Sequence, residues 1–214
     1  MFFVFEGVDG AGKSSQLTRF NVWLESLGHD VVTCADPGST AVGEKLRAIL
    51  LEKHSMPIHM RTEMMLFTAA RTQLVEEIIK PALEASKTVV LDRYLWSTVV
   101  YQGHAADLNP DGIWQVNKIA TDGLMPDATF VLDLPVDIAM KRIGKSLDRM
   151  ESRGVEYMQK VRDGFLTEAK RFPDQVFVVD ASATEDDVAE QIQTIAKDVL
   201  DAKQDVMNAP QEEA

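Results

Sequence analysis

Eight residues near the amino end, Gly7-Val8-Asp9-Gly10-Ala11-Gly12-Lys13-Ser14, constrain this chain more than any other segment. They follow the apolar run Phe2–Glu6 and precede a stretch of helical period. A strand must therefore feed a glycine-rich turn that opens a helix, which is the context in which a Walker A pattern holds phosphate. Glycines at 7, 10 and 12 let backbone N–H groups converge on phosphate oxygens where side chains would block the approach. The helix starting near Lys13 adds its positive N-terminal dipole, Lys13 reaches the β and γ phosphates, and the Ser14 hydroxyl can ligate Mg²⁺. Ala11 and Ser15 belong to the same phosphate-binding loop.

The remainder alternates short β-rich runs with longer helical segments, the pattern of a parallel sheet with helices on both faces. Five strands are expected: Phe2–Glu6, Asp30–Ala35, Thr88–Asp92, Thr129–Asp133 and Val176–Asp180. Each is apolar on consecutive positions, as strands covered on both faces should be. Gly28 and Gly123 sit where helices would close, Asn109-Pro110 can open one, and Pro135 suits the first turn of a helix running to about Ile143. Pro81 should kink or break the periodic stretch Thr62–Ala85.

With 214 residues and 45% apolar content, one domain over residues 1–202 is expected. Residues 203–214 turn polar and acidic and read as a mobile tail. Gly144–Val155 crowds Lys145, Arg149 and Arg153 into a glycine-flanked segment between two helical patterns, and reads as a moving lid. The formal charge of −12, from 34 acidic against 22 basic residues, opposes binding to nucleic acid and acidic membrane faces. The lone Cys34 leaves no internal disulfide and no zinc spacing, which fits the cytoplasm. No apolar run approaches the length of a membrane span.

Two local patterns lead elsewhere and fail. Asn117-Lys118-Ile119-Ala120 lacks the terminal carboxylate with which a GTP switch reads guanine. Asp107-Leu108-Asn109-Pro110-Asp111-Gly112 begins like a calcium loop, but its twelfth position is Lys118, where calcium requires a bidentate Glu. A turn followed by a helix cap explains those residues better.

From Phe5 to about Lys197 the chain resembles bacterial thymidylate kinases. The resemblance is carried by Glu6–Ser14; by Asp36-Pro37-Gly38-Ser39-Thr40 with Glu44-Lys45-Leu46-Arg47; by Leu66-Phe67-Thr68-Ala69-Ala70-Arg71; by Asp92-Arg93-Tyr94 with Ser97 and Tyr101-Gln102-Gly103; and by Leu147-Asp148-Arg149-Met150-Glu151. It implies the three-layer α/β P-loop kinase fold, a five-stranded parallel sheet with helices on both faces and a short lid, and transfer of the γ-phosphate of ATP to dTMP with Mg²⁺. A homodimer is implied as well.

Phe67 and Arg71, four apart on one helix, project a flat ring and a forked donor from the same face. By the resemblance they stack and hydrogen-bond thymine. Arg93 leaves the carboxyl end of a strand, where open α/β sheets bind ligands, and is placed for the dTMP phosphate. Asp92 beside it is the acidic neighbour of the metal or its waters, or else pairs with a nearby Arg. The resemblance brings Arg47 to the monophosphate, Asp9 to the sugar 3′-hydroxyl, Tyr101 against C2′, and Ser97 and Gln102 near the pyrimidine. The acceptor phosphate is already ionised at neutral pH, so positive charge rather than a base is needed. By the resemblance, members with Gly rather than Arg in the P-loop take the key arginine from the lid; Gly10 puts this chain with them, so Arg149 and Arg153 are the candidates to join Lys13 and Arg93 in catalysis, with Arg142 as a further ATP contact.

The chain departs from the commoner Arg-Glu-Pro-Gly-Gly-Thr of bacterial members at Ala35, Asp36 and Ser39, and Trp96 stands where an Asp is common. These positions put the monophosphate end and the pocket rim in question. The competing readings are a kinase for another nucleotide or nucleoside, dUMP being nearest, and a nucleotide-binding regulator without turnover.

Overall fold

The computed structural model describes residues 1–52, 57–143 and 148–208. Five strands, β1 (Phe2–Glu6), β2 (Val31–Ala35), β3 (Thr88–Asp92), β4 (Ala128–Asp133) and β5 (Val176–Asp180), form one sheet in the order β2-β3-β1-β4-β5. Every pairing is parallel. The helices are α1 (Lys13–Ser26), α2 (Ala41–Leu51), α3 (Met60–Leu74), α4 (Lys80–Glu84), α5 (Leu95–Thr98), α6 (Pro110–Ala120), α7 (Val136–Arg142), α8 (Val155–Arg171) and α9 (Glu185–Asn208). The expected strands fall where the apolar runs place them, within one residue at β2 and β4.

Central β1 is buried at all five positions. Phe3 and Phe5 point to one face, where both meet Phe20 of α1 edge-on and pack against Phe130 of β4. Phe2 points the other way and meets Tyr94. A strand with aromatic residues on both faces must be sandwiched by helices, and this one is. The edge strands are less covered: Val31 and Val32 are half-buried and Thr33 is exposed, because an edge has a neighbour on one side only.

The register brings the functional loops together. Phe5 and Ala35 both pair with Asp92, and Glu6 pairs with Val131. The loops after β1, β2 and β3 therefore leave the sheet at one carboxyl edge, beside the point where the chain changes direction across the sheet.

Three local expectations are modified. Pro81 does not end its helix; the turn before it, Val75–Ile79, widens to π geometry and the chain continues as α4. A π turn shifts the hydrogen-bond ladder by one residue, which accommodates a proline that cannot donate. Pro135 is the N-cap of α7 rather than its first helical residue. Helix α9 continues through Asn208, so residues 203–208 of the expected tail are helical, while 209–214 lie outside the described residues. Among the described residues no helix is long and apolar enough to cross a membrane.

Trp96 turns away from the carboxyl edge into the core, fully buried edge-on to Trp114 and Phe172. The departure at this position alters core packing rather than a pocket rim. Trp96→Ala should lower the unfolding free energy by about 3–5 kcal/mol, measured by urea titration, with little change in nucleotide binding. A loss below about 1 kcal/mol would mean that the aromatic cluster closes over the gap.

Candidate functional site

The loop from Gly7 to Gly12 winds between β1 and α1 with positive φ at its glycines. At Gly7 and Gly10 the reason is close approach as well as torsion. A Cβ on Gly7 would lie 2.6 Å from the Leu132 carbonyl oxygen, and one on Gly10 would lie 2.4 Å from that of Ala139. No side chain fits at position 10, so a P-loop arginine there is incompatible with this backbone.

Lys13 is buried and donates from Nζ to the carbonyls of Gly7 (3.2 Å) and Val8 (3.0 Å). Burial lowers its pKa, with Arg93 acting the same way against the carboxylates around it. Arg93, held at φ +68°, donates to the same Gly7 carbonyl (3.0 Å), to Ser97 Oγ (3.2 Å) and to Asp9 Oδ1 (2.5 Å). Tyr101 donates from its hydroxyl to the other Asp9 oxygen (3.2 Å). Burial pushes the Asp9 carboxyl up, but Arg93, Lys13 and the hydrogen bonds outweigh it and leave the pKa at about 2. Asp9 is thus ionised at neutral pH, and the stability it contributes is lost only as acid takes the pH from its unfolded value near 3.8 down through about 2.

Behind this group lies Glu6, wholly buried at the end of β1. It accepts from the backbone N–H of Tyr94 (2.8 Å) and Ser97 (3.1 Å) and from Ser97 Oγ (2.6 Å). Burial pushes its carboxyl up while Arg93, 3.8 Å away, pulls it down. Glu6 fixes the turn after β3 and hence where Arg93 points. Ser97 is a joint between Glu6 and Arg93.

A second buried group surrounds Arg71, which is 1% exposed. Its Nε donates to Asp36 Oδ2 (2.5 Å), Nη1 to Asn117 Oδ1 (2.6 Å) and Nη2 to the Tyr94 carbonyl (3.1 Å), with the guanidinium 5.6 Å from the Tyr94 ring centroid. Asp36 is therefore the counter-charge of Arg71. Ser39, at φ +62°, accepts from the Ala35 N–H (2.9 Å) and donates its own N–H to Glu44 (2.8 Å), closing the loop that carries Asp36. Arg47 donates to the Pro37 carbonyl of that loop (2.7 Å).

Between these groups opens a cleft of about 730 Å³. Its walls bring together Asp9, Gly10, Ala11, Gly12, Lys13, Ser14, Ser15, Arg47, Phe67, Arg71, Asp92, Arg93, Ser97, Tyr101, Gln102 and Arg142. Gly7 stands behind them and contributes its carbonyl. Asp92 Oδ1 is buried without a partner, so the pairing with an arginine is absent at that oxygen. No cluster of three or more His, Cys, Asp or Glu residues suited to a metal occurs among the described residues.

Arg149 and Arg153 do not line the cleft. Both point to Glu63, a fully buried carboxylate on α3, with Nη2 to Oε2 distances of 2.6 Å and 2.5 Å. Arg149 also donates from Nε to the Leu50 carbonyl (2.6 Å), and Arg153 from Nη1 to the Tyr157 hydroxyl (2.7 Å). The segment of the lid that reaches the cleft is Asp148, Met150 and Glu151. Asp148 caps its short helical turn by accepting from the N–H of Met150 and of Glu151. Residues 144–147 lie outside the described residues. In the false calcium loop, Asn109 caps α6 by accepting from the N–H of Asp111 and Gly112.

Sequence reasoning assigns no role in the site to Glu63, Glu6 or Asn117. Their roles depend on partners far along the chain; the available signal was polar residues lying on otherwise apolar faces.

The family model described as thymidylate kinase matches residues 5–192. A thymidylate kinase of Rhodopirellula baltica is 45% identical over 190 residues, covering 89% of this chain and 77% of the relative. One of Thermosipho africanus is 41% identical over 198 residues, covering 92% and 98%. The crystal structure of thymidylate kinase from Ehrlichia chaffeensis superposes with a TM-score of 0.75 at 29% identity, covering 92% of this chain and 98% of that one.

If Asp36 neutralises a buried guanidinium, Asp36→Ala should cost about 3–5 kcal/mol of stability in urea unfolding. Asp36→Asn, which keeps an acceptor for Nε, should cost less. Equal losses would assign the whole effect to the charge, and a negligible loss in Asp36→Asn would assign it to packing and the hydrogen bond instead.

Proposed function

Since the chain belongs to the thymidylate kinase family and is an ATP-dependent dTMP kinase, we propose that its cleft holds the two nucleotides on either side of the Gly7 carbonyl. The observation that carries this reading is the convergence of Lys13 and Arg93 on that one oxygen, each arriving from a different strand end. Lys13 serves the ATP phosphates with the loop N–H groups of residues 10 to 15, and Arg142 flanks them. Arg93 faces the acceptor phosphate, with Arg47 beyond it.

On the acceptor side, Phe67 and Arg71 present a ring and a guanidinium on one cleft wall. They stack thymine and donate to a carbonyl of its edge. Arg71 keeps N–H groups for this purpose, since three of its five are committed to Asp36, Asn117 and Tyr94. Asp9 accepts the sugar 3′-hydroxyl, and Tyr101, tied to Asp9 and 5.3 Å from the Arg93 guanidinium, fills the space at C2′. Ser97 and Gln102 complete the acceptor wall.

The donor set fits Mg²⁺ carried mainly by the phosphates: Ser14 offers a hydroxyl and Asp92 a buried, unpartnered oxygen, with no protein cage around them among the described residues. The ion would neutralise charge on the phosphates. In the reaction an oxygen of the dTMP phosphate bonds the γ-phosphorus as the bond to the ADP oxygen breaks. The acceptor monoester, with a second pKa of about 6, is already deprotonated, so no side chain acts as base. Lys13 and the arginines align the two polyanions and stabilise the charge spread over the transferring oxygens.

Gly10 cannot bear an arginine, so that charge comes from Arg149, with Arg153 as its neighbour, once they leave Glu63. Work in the cytoplasm and as a homodimer belongs to the same reading, supported by the soluble nucleotide substrates and by family membership.

A coupled assay with ATP, Mg²⁺ and a panel of nucleoside monophosphates tests the function. Turnover should be highest with dTMP and nearly absent in Lys13→Ala that remains folded by circular dichroism. Full turnover in that variant would remove the loop from the mechanism.

For the lid, single-turnover kinetics of Arg149→Ala should show the chemical step slowed by about 10³ with little change in dTMP affinity. A normal step in Arg149→Ala beside a severe defect in Arg153→Ala would transfer the role; normal steps in both would end it.

A further inference from the structure

Gln102 is 1% exposed and lies on the acceptor wall of the cleft. Its side-chain amide is used unevenly. Nε2 donates to Glu63 Oε1 at 2.7 Å, whereas Oε1 is buried with no hydrogen-bond partner. A glutamine amide can be turned so that either end faces a neighbour, and only the surrounding network decides which. Here the neighbour is a carboxylate whose other oxygen takes Arg149 and Arg153, so Glu63 is an acceptor on both oxygens. It accepts the amide nitrogen of Gln102 and repels the amide oxygen. The oxygen is thereby forced to the side away from Glu63, where no protein group partners it, on a residue that lines the cleft.

We infer that Glu63 is a specificity-determining positioning residue: by locking the Gln102 amide it makes the acceptor pocket present a hydrogen-bond acceptor to the base. The inference rests on the reading that Gln102 faces the base. Thymine and uracil carry an N3–H donor between two carbonyls, which satisfies that oxygen. Cytosine carries a bare N3 lone pair there, so two acceptors would meet, and a buried acceptor left unpaired is costly. Glu63 touches no substrate; it acts through Gln102. It also anchors Arg149 and Arg153, so one carboxylate joins the base-facing wall to the lid.

The substitution Glu63→Gln removes the lock, because the introduced side-chain amide could turn its own NH₂ toward Gln102 and accept either orientation. Steady-state kinetics of wild type, Glu63→Gln and Gln102→Ala with dTMP, dUMP and dCMP give the test. In Glu63→Gln the ratio of kcat/KM for dCMP to that for dTMP should rise about tenfold, the size of one misplaced hydrogen bond, and Arg71 still opposes the cytosine amino group. The dUMP to dTMP ratio should not move, since both bases share the N3–H. A role for Glu63 confined to the lid or to stability would lower kcat for all three nucleotides together, and an unchanged dCMP ratio overturns the inference. If Gln102→Ala leaves the KM for dTMP unaltered, the reading of Gln102 itself fails; if that KM rises while Glu63→Gln shows no dCMP gain, only the inference does.

Should Glu63→Gln not fold, NMR of the wild-type enzyme with dTMP decides. The Gln102 amide protons should lie against Glu63 with the thymine imino proton against the Gln102 oxygen, and amide protons facing the base would refute the lock.

Discussion

Binding two polyanions in one cleft requires cations held away from water, and a buried guanidinium or ammonium is tolerated only beside a negative partner. The arrangement of this protein follows from that requirement. Arg93 is set against Asp9 with Glu6 behind it, Arg71 against Asp36, and Arg149 and Arg153 against Glu63. Each carboxylate comes from a different segment than the cation it serves, so every pair also ties together parts of the chain far apart in sequence. An acidic chain with a net charge of −12 can host phosphates because its positive charge is concentrated and fixed at one sheet edge.

The same requirement explains departures from the commoner bacterial motif. Asp36 keeps the charge that Glu would supply, and with its shorter side chain it reaches Arg71 at 2.5 Å. Ser39 occupies a positive-φ position that a second glycine would fill without strain, and its hydroxyl and N–H bind the loop to Ala35 and Glu44. Trp96 has no bearing on the cleft, since it faces Trp114 and Phe172. Asp36 and Ser39 thus keep the loop after β2 closed on Arg71, while Ala35 lines the cleft without the charge an arginine would bring.

Glu63 stands apart because its partners come from two separate parts of the molecule. Through Gln102 it meets the cleft wall, and through Arg149 and Arg153 it holds the segment that follows residue 148. Tyr157 adds a parallel link, accepting from Arg153 and donating to the Tyr101 carbonyl at 2.7 Å. A single helix, α3, thereby carries Phe67 and Arg71 on its cleft side and the lid's anchor one turn earlier.

Much of this was legible in the sequence because it is local. A strand, a glycine loop and a helix in succession fix the phosphate cradle, since the torsions and N–H directions are set within eight residues. Consecutive apolar runs marked all five strands, and a spacing of four put Phe67 and Arg71 on one face. What the sequence could not decide was which charge meets which, because pairing depends on register and crossing angles between elements far apart along the chain. Asp36 lies 35 residues from Arg71, and Glu63 lies 90 from Arg153. Only when the parallel register carried the ends of β1, β2 and β3 to one edge, and α3 was packed against α6 and the lid, did those carboxylates acquire partners. Local geometry wrote the cradle, and tertiary packing chose the counter-charges that allow it to stay positive.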